Sequence, residues 1–209
     1  MTIENTYTFA YSVKGTTRKL INEMGAIFPN TEYNELTKKS FEKEFNEKDL
    51  VIVGAPVYAG RIPKPLGAKL KSLKGNNTLA VAVVTYGNRA YEDALLELKN
   101  ILEEQGFKVI AALVYVAQHS LAANIAKGRP NEKDLTIAKD YSKQILDKVN
   151  SLSSIDSLAS LKVPGNFPYR KEAMAHKIED FDSASVATRI ENMILTNNFQ
   201  DNKTPEIYI

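Results

Sequence analysis

The 209 residues carry 27 Lys and Arg against 25 Asp and Glu, 44% hydrophobic side chains, two His and no Cys. A chain of this size buries about 70% of its unfolded surface around one ordinary core. Its scattered charge argues against nucleic acid, and the missing cysteine removes disulfides, thiolate nucleophiles and iron–sulfur ligation.

The elements alternate along the chain. A short strand, Tyr7–Ser12, runs through a Lys-Gly-Thr-Thr turn into the helix TRKLINEM. A weaker strand over Thr31–Thr37 and a polar helix, KKSFEKEF, come next. The apolar run DLVIVGAP reads as a buried strand and is followed by a helix over PLGAKLKSLKG. TLAVAVVTY is a buried strand, and DALLELKNILEEQG places Leu and Ile at helical spacing before a Gly106 stop. KVIAALVYVA is a fifth strand, and a last long helix over Asn131–Leu152 opens on Asn131 as N-cap. Strands apolar on both faces, alternating with amphipathic helices, predict a parallel sheet covered on both sides. The predicted class is a doubly wound α/β domain over residues 1–152. Residues 153–209, broken by Pro164, Gly165, Pro168 and Pro205, form an irregular C-terminal extension. No run approaches membrane-spanning length, and MTIENTYTFAYS lacks the basic and apolar regions of a leader. A cytoplasmic protein without a membrane partner is expected.

In an open parallel sheet, ligands sit beyond the carboxyl ends of the strands. The unusual residues of this chain follow those ends. After the first strand comes SVKGTT, with hydroxyls, Lys14 and Gly15 at a helix start that suits an anion. It is neither a Walker motif nor a dinucleotide fingerprint, and it reads equally well as a capped helix with Ser12 or Thr16 as N-cap. After the third and fourth strands come APVYAGRIP and TYGNRAYED, each with a tyrosine beside or near a glycine. Tyr58 and Tyr86 offer flat faces on which a planar ring can stack, and Arg61 and Arg89 can balance charge. Glu92 and Asp93 suit the first turn of the next helix. After the fifth strand come Gln118, His119 and Ser120, then Arg129. His119 reads more simply as a loop-end histidine and Arg129 as a pin for its loop. A phosphate loop beside ring platforms fits a flavin mononucleotide best.

GAPVYAGRIP, YGNRAYEDALLEL, GFKVIAA, QHSLA, AKGRPNEKD and PGNFPY, between about Tyr7 and Tyr169, are similar to the flavodoxin half of the EFR family. Those proteins are bacterial fusions of a flavodoxin domain to a C-terminal ferredoxin. The resemblance implies a flavodoxin-like three-layer sandwich with a five-stranded parallel sheet of order 2-1-3-4-5 and bound FMN. The family's first loop reads like S-G-T-G-N-T. It maps onto Ser12, Gly15 and Thr17, with Thr16 between the last two, while Val13 and Lys14 depart from it. Val13 removes a flexible glycine; Lys14 exchanges a hydroxyl for a positive charge suited to a phosphate. The other loops imply flavin contacts at Pro56, Val57, Tyr58, Ala59, Gly60, Thr85, Tyr86, Gly87, Asn88, Arg89, Tyr91 and Asp93. Arg61, His119 and Arg129 are additional loop contacts. No catalytic residue and no metal site are expected.

Where the family's ferredoxin would carry its first cluster cysteines, this chain has Ala184, Ala187, Ile190 and Ile194, followed by ILTNNF and KTP. The tail therefore reads as a truncated ferredoxin remnant without cluster ligands. The function expected is electron transfer or simple flavin redox chemistry, as a monomer or homodimer acting with a redox partner protein. The alternatives are a cofactor-poor module that binds a ligand or partner, and an FMN-dependent NAD(P)H reductase.

Overall fold

The computed structural model describes residues 1–156, 158–171 and 203–209. The positions read as lost cluster ligands, Ala184 to Ile194, lie outside the described residues. The elements are β1 (Asn5–Ala10), α1 (Thr16–Gly25), β2 (Thr31–Glu35), β3 (Lys43–Phe45), β4 (Asp49–Pro56) and α2 (Lys64–Leu70), followed by β5 (Leu73–Gly75), β6 (Thr78–Tyr86), α3 (Ala94–Glu104), β7 (Phe107–Val116), α4 (Glu132–Ser151) and β8 (Glu206–Tyr208).

The main sheet runs β2-β1-β4-β6-β7-β8. Its first five strands are mutually parallel, in the order that the family resemblance implies. All nine residues of β6 are buried because both faces of the sheet are covered. Ala80, Ala82 and Val84 point into one core, with Leu66 and Leu70 of α2 and Leu95, Leu98 and Leu102 of α3. Leu79, Val81 and Val83 point into the other, with Leu20, Ile21 and Met24 of α1 and Ile145 and Val149 of α4. The long helix α4 is capped as its sequence indicates. The Asn131 side chain accepts the N–H groups of Lys133 and Asp134, and Asp134 accepts that of Asn131.

Three features differ from the sequence-based expectation. KKSFEKEF is not a helix: a turn leads into strand β3, which pairs in parallel with β5 as a separate two-stranded sheet. The i, i+4 spacing of Phe41 and Phe45 mimics a helical face. In the fold, aromatic packing decides, with Phe45 edge-on to Tyr7 at 5.1 Å and tilted against Phe107 at 5.7 Å. Tertiary contacts of this kind override weak helical propensity. The helix expected over PLGAKLKSLKG stops at Leu70 for the same reason, since Leu73–Gly75 forms the partner strand.

The sheet is also not purely five-stranded. Glu206–Tyr208 adds a sixth strand, antiparallel to β7, with Ile207 opposite Leu113. Three residues in a polar tail carry no readable alternation, so the strand has no signature in the sequence. Residues 158–170 turn back along α3, where Asn100 donates to the Tyr169 hydroxyl at 2.8 Å. Leu161 and Val163 pack against the α2/α3 core.

Candidate functional site

Strand order reverses between β1 and β4, and a crevice forms at such a switch point. Here a small cleft lies at the carboxyl ends of the parallel strands. The loop after β1 gives it Ser12, Val13, Lys14, Thr16 and Thr17, and the loop after β4 gives Pro56, Val57 and Tyr58. Thr85, Tyr86 and Gly87 come from the end of β6, and Ala117, Gln118 and Ser120 from the loop after β7.

The first wall is built by the helix start. Gly15 has φ 84°, a left-handed conformation that its lack of Cβ permits, and it serves as the N-cap of α1 in place of Ser12 or Thr16. Ser12 still has a capping role, accepting the Arg18 N–H at 3.1 Å through its hydroxyl oxygen. The Ser12 N–H donates to the Thr37 hydroxyl at 2.7 Å. Between these two fixed amides, the N–H groups of Val13 through Thr17 have no acceptor among the described residues. Consecutive unpaired amides at the positive end of a helix form an anion cradle. Lys14 is exposed beside them. The Thr17 hydroxyl points inward, 2.7 Å from that of Thr85.

The second wall is a tight hairpin. Tyr58 and Arg61 exchange backbone hydrogen bonds of 2.9 and 3.1 Å across Ala59 and Gly60, which have φ 51° and 83°. Two successive positive φ values close a two-residue turn, and the second falls on glycine at no steric cost. The turn lifts Tyr58 to the surface, 40% exposed, with its ring on the cleft. Partial burial raises the pKa of its hydroxyl, with a smaller contribution from Tyr11.

Tyr86 also lines the cleft, but it is only 5% exposed. Its ring meets Tyr91 edge-on at 5.5 Å, and the Lys203 ammonium lies 5.5 Å from its centroid. Burial, reinforced by Glu206 and partly opposed by Arg129, pushes its hydroxyl up to about 12. Gly87 gives His119 room: a Cβ there would stand 2.3 Å from the imidazole Cδ2. His119 Nδ1 accepts the N–H groups of Leu121 and Ala122 at 3.2 and 3.0 Å, so the ring proton belongs on Nε2. Burial, then the nearby Arg89 charge, lowers its pKa.

Several residues expected at the site have side chains engaged elsewhere. Arg61 makes a two-pronged ion pair with Glu97 at 2.7 and 2.6 Å and lies over the Tyr169 ring. Arg89 pairs with Glu92 at 2.6 Å. Tyr91 donates to Glu206 at 2.9 Å and touches the Tyr208 hydroxyl. Asp93 accepts the N–H groups of Asn166 and Arg170 at 2.9 and 2.7 Å. Burial works against its ionisation, but these donors outweigh it and hold the carboxyl below its usual range. Arg129 pairs with Asp134 across the start of α4. Asn88 is buried with φ 61°, and Ala59 and Gly60 form the turn behind Tyr58.

The sequence marks Gln118 and Ser120 only as part of the loop after the fifth strand, and does not mark Ala117 as a contact. Ala117, Gln118 and Ser120 line the cleft, and their place just after a buried strand was the available signal. Lys203 stands over the loop after β6, with its ammonium 3.4 and 3.3 Å from the Asn88 and Arg89 carbonyls. Nothing local in the sequence marks that contact, which spans more than a hundred residues of chain. Among the described residues, no group of three or more His, Asp or Glu could hold a metal ion, and no helix is long and apolar enough to cross a membrane.

No protein-family model matches the chain, and no curated protein matches its sequence. Solved structures do match in shape. A flavodoxin from the domain Archaea superposes with a TM-score of 0.50 at 16% identity, over 70% of this chain and 99% of that one. The rubredoxin oxygen:oxidoreductase of the anaerobe Desulfovibrio gigas superposes with a TM-score of 0.53 at 17% identity. That match covers 72% of this chain but 37% of the longer enzyme. The chain has a flavodoxin-like fold. At these identities the likeness speaks for the fold alone. In that fold the loops after β1, β4, β6 and β7 meet at one edge, and it is there that the unpaired amides and the exposed Tyr58 ring stand together.

Proposed function

We propose that the chain binds FMN in this cleft and serves electron transfer or simple flavin redox chemistry. The observation that carries the reading is the run of unpaired N–H groups from Val13 to Thr17, set beside Lys14 and across the cleft from Tyr58. Amides and lysine would hold the phosphate, and Tyr58 would lie against the ring. When bound, the isoalloxazine supplies one- and two-electron chemistry, while the protein sets its orientation and solvent access. Pro56, Val57, Thr85, Gly87, Gln118 and Ser120 are the remaining contacts in this reading. The engaged side chains of Arg61, Arg89, Tyr91, Asp93 and Arg129 would shape the loops from behind.

The sequence wording shared with EFR-family fusions supports descent from that lineage, with a tail that has lost its cluster ligands. We place the protein in the cytoplasm, as a monomer or homodimer acting with a redox partner protein.

A second reading has an observation of its own. The Thr17 hydroxyl is committed to Thr85, the Tyr86 ring is buried, and the cleft holds only ≈ 40 Å³. These features favour a module with weakened flavin affinity that binds a ligand or partner without redox turnover. Absorbance of the purified protein, before and after adding FMN, separates the two. A yellow protein that releases FMN on denaturation supports the first reading; a colourless protein that leaves added FMN spectroscopically unchanged overturns it.

A further inference from the structure

We infer that the cleft-bearing end of the molecule is a docking face for an acidic protein. The inference rests on the flavin reading for its purpose, since what would pass between the partners is an electron. Its physical basis is independent of the cofactor.

Net charge is only +2, but the charges are not evenly placed. Around the carboxyl ends of the parallel strands, Lys14, Lys38, Lys39, Lys127, Lys133 and Lys171 are exposed, and none forms a salt bridge with a described residue. Two exposed acids share this end, Glu132, 3.7 Å from Lys19, and Glu206, bound to Tyr91 and Tyr208, while those of the loop after β6 are engaged. Glu92 is paired with Arg89 and Arg170, and Asp93 is buried against Asn166 and Arg170. At the far end, where the strands begin, the exposed acids Glu44, Glu47, Glu104, Asp147 and Asp156 are interspersed with the exposed lysines Lys48, Lys71 and Lys74. The surplus of unpaired positive charge is thus local to the cleft end. A field of this kind steers an oppositely charged partner and raises its association rate about tenfold or more.

The same end presents apolar surface. Val13, Tyr58, Leu121 and Phe167 are exposed there, and they make up most of the large exposed hydrophobic side chains of the described residues. Val13 and Tyr58 border the cleft itself, and Leu121 follows Ser120 on its rim. Phe167 sits next to Asn166, which is bound to Asp93 behind the Tyr58 hairpin. Apolar side chains within a charged rim are the make-up of a protein–protein interface. A nucleic-acid backbone is less well served. The arginines that would clasp phosphates, Arg61, Arg89 and Arg129, are bound to Glu97, Glu92 and Asp134.

The test titrates the full chain, as purified, with two redox proteins of opposite charge: an acidic plant-type ferredoxin and a basic cytochrome c. The ferredoxin is expected to bind, with affinity falling about tenfold from low to high salt, and the cytochrome is not. The Lys38→Glu/Lys127→Glu variant is expected to lose about tenfold in ferredoxin affinity, while Lys71→Glu at the far end loses none. Preference for cytochrome c, absence of ferredoxin binding, or indifference to the double substitution would overturn the inference. So would tighter binding of an oligothymidylate that the same substitution abolishes. FMN titration of the same samples keeps the two readings apart. Ferredoxin binding without FMN binding sinks the flavin reading alone, and FMN binding without ferredoxin binding sinks the docking face alone.

Discussion

The hydroxyls of Thr17 and Thr85 meet at 2.7 Å in the buried floor of the cleft, joining the first turn of α1 to the end of β6. This contact ties the anion cradle to the loop that carries Tyr86 and Gly87. Thr85→Val leaves the Thr17 hydroxyl buried without its partner and is expected to cost about 1–3 kcal/mol. Replacing both by Val removes the two polar groups together and is expected to cost less than either single change predicts by addition. Urea unfolding of the two single variants and the double variant measures the coupling.

Gly87 and His119 form a second such pair. A methyl at 87 would overlap the imidazole, so Gly87→Ala is expected to destabilise the protein by about 1–3 kcal/mol. His119→Ala clears the space, and the double variant is expected to recover part of the loss. Thermal unfolding reads both effects.

His119 also sets an acid-side dependence. Its folded pKa is lowered by burial and by Arg89. The unfolded chain therefore takes up the proton first as pH falls below about 6.5. Stability from this group is full above that pH and declines as pH falls through the folded pKa. His119→Gln is expected to remove that part of the slope. Unfolding free energies measured between neutral and mildly acidic pH, for the wild type and the variant, give the difference.

Lys203 holds the loop after β6 from outside. Its ammonium reaches the Asn88 and Arg89 carbonyls, and its own carbonyl accepts from Arg129 at 3.0 Å. The last residues thus bridge the loops after β6 and β7. Lys203→Met keeps the aliphatic stem and removes the charge. It is expected to weaken FMN binding severalfold, with faster hydrogen exchange confined to residues 87–91.

Much of this architecture was legible in the sequence. DLVIVGAP and TLAVAVVTY are continuous apolar runs because both faces of the sheet are covered, and helices over the right segments imply parallel strands. Asn131 announced α4 because an N-cap is a local interaction. The failures have a common cause. KKSFEKEF became strand β3 through rings contributed by Tyr7 and Phe107, distant in sequence. Strand β8 exists because β7 offers an open edge to a tail that has no pattern of its own. At the site, the loops were found by their position after strands. The direction of each side chain was set by long-range partners instead. Arg61 turns to Glu97 and Tyr91 to Glu206, choices that spacing along the chain does not encode.

The central claim is that the amides of Val13 to Thr17 hold the phosphate of a flavin lying on Tyr58. Parallel titrations with FMN and riboflavin, followed by quenching of flavin fluorescence, test it most directly. One-to-one binding of FMN, at least about tenfold tighter than riboflavin and weakened by Lys14→Ala, is the result expected. Equal affinity for the two flavins, or no quenching of either, would contradict it.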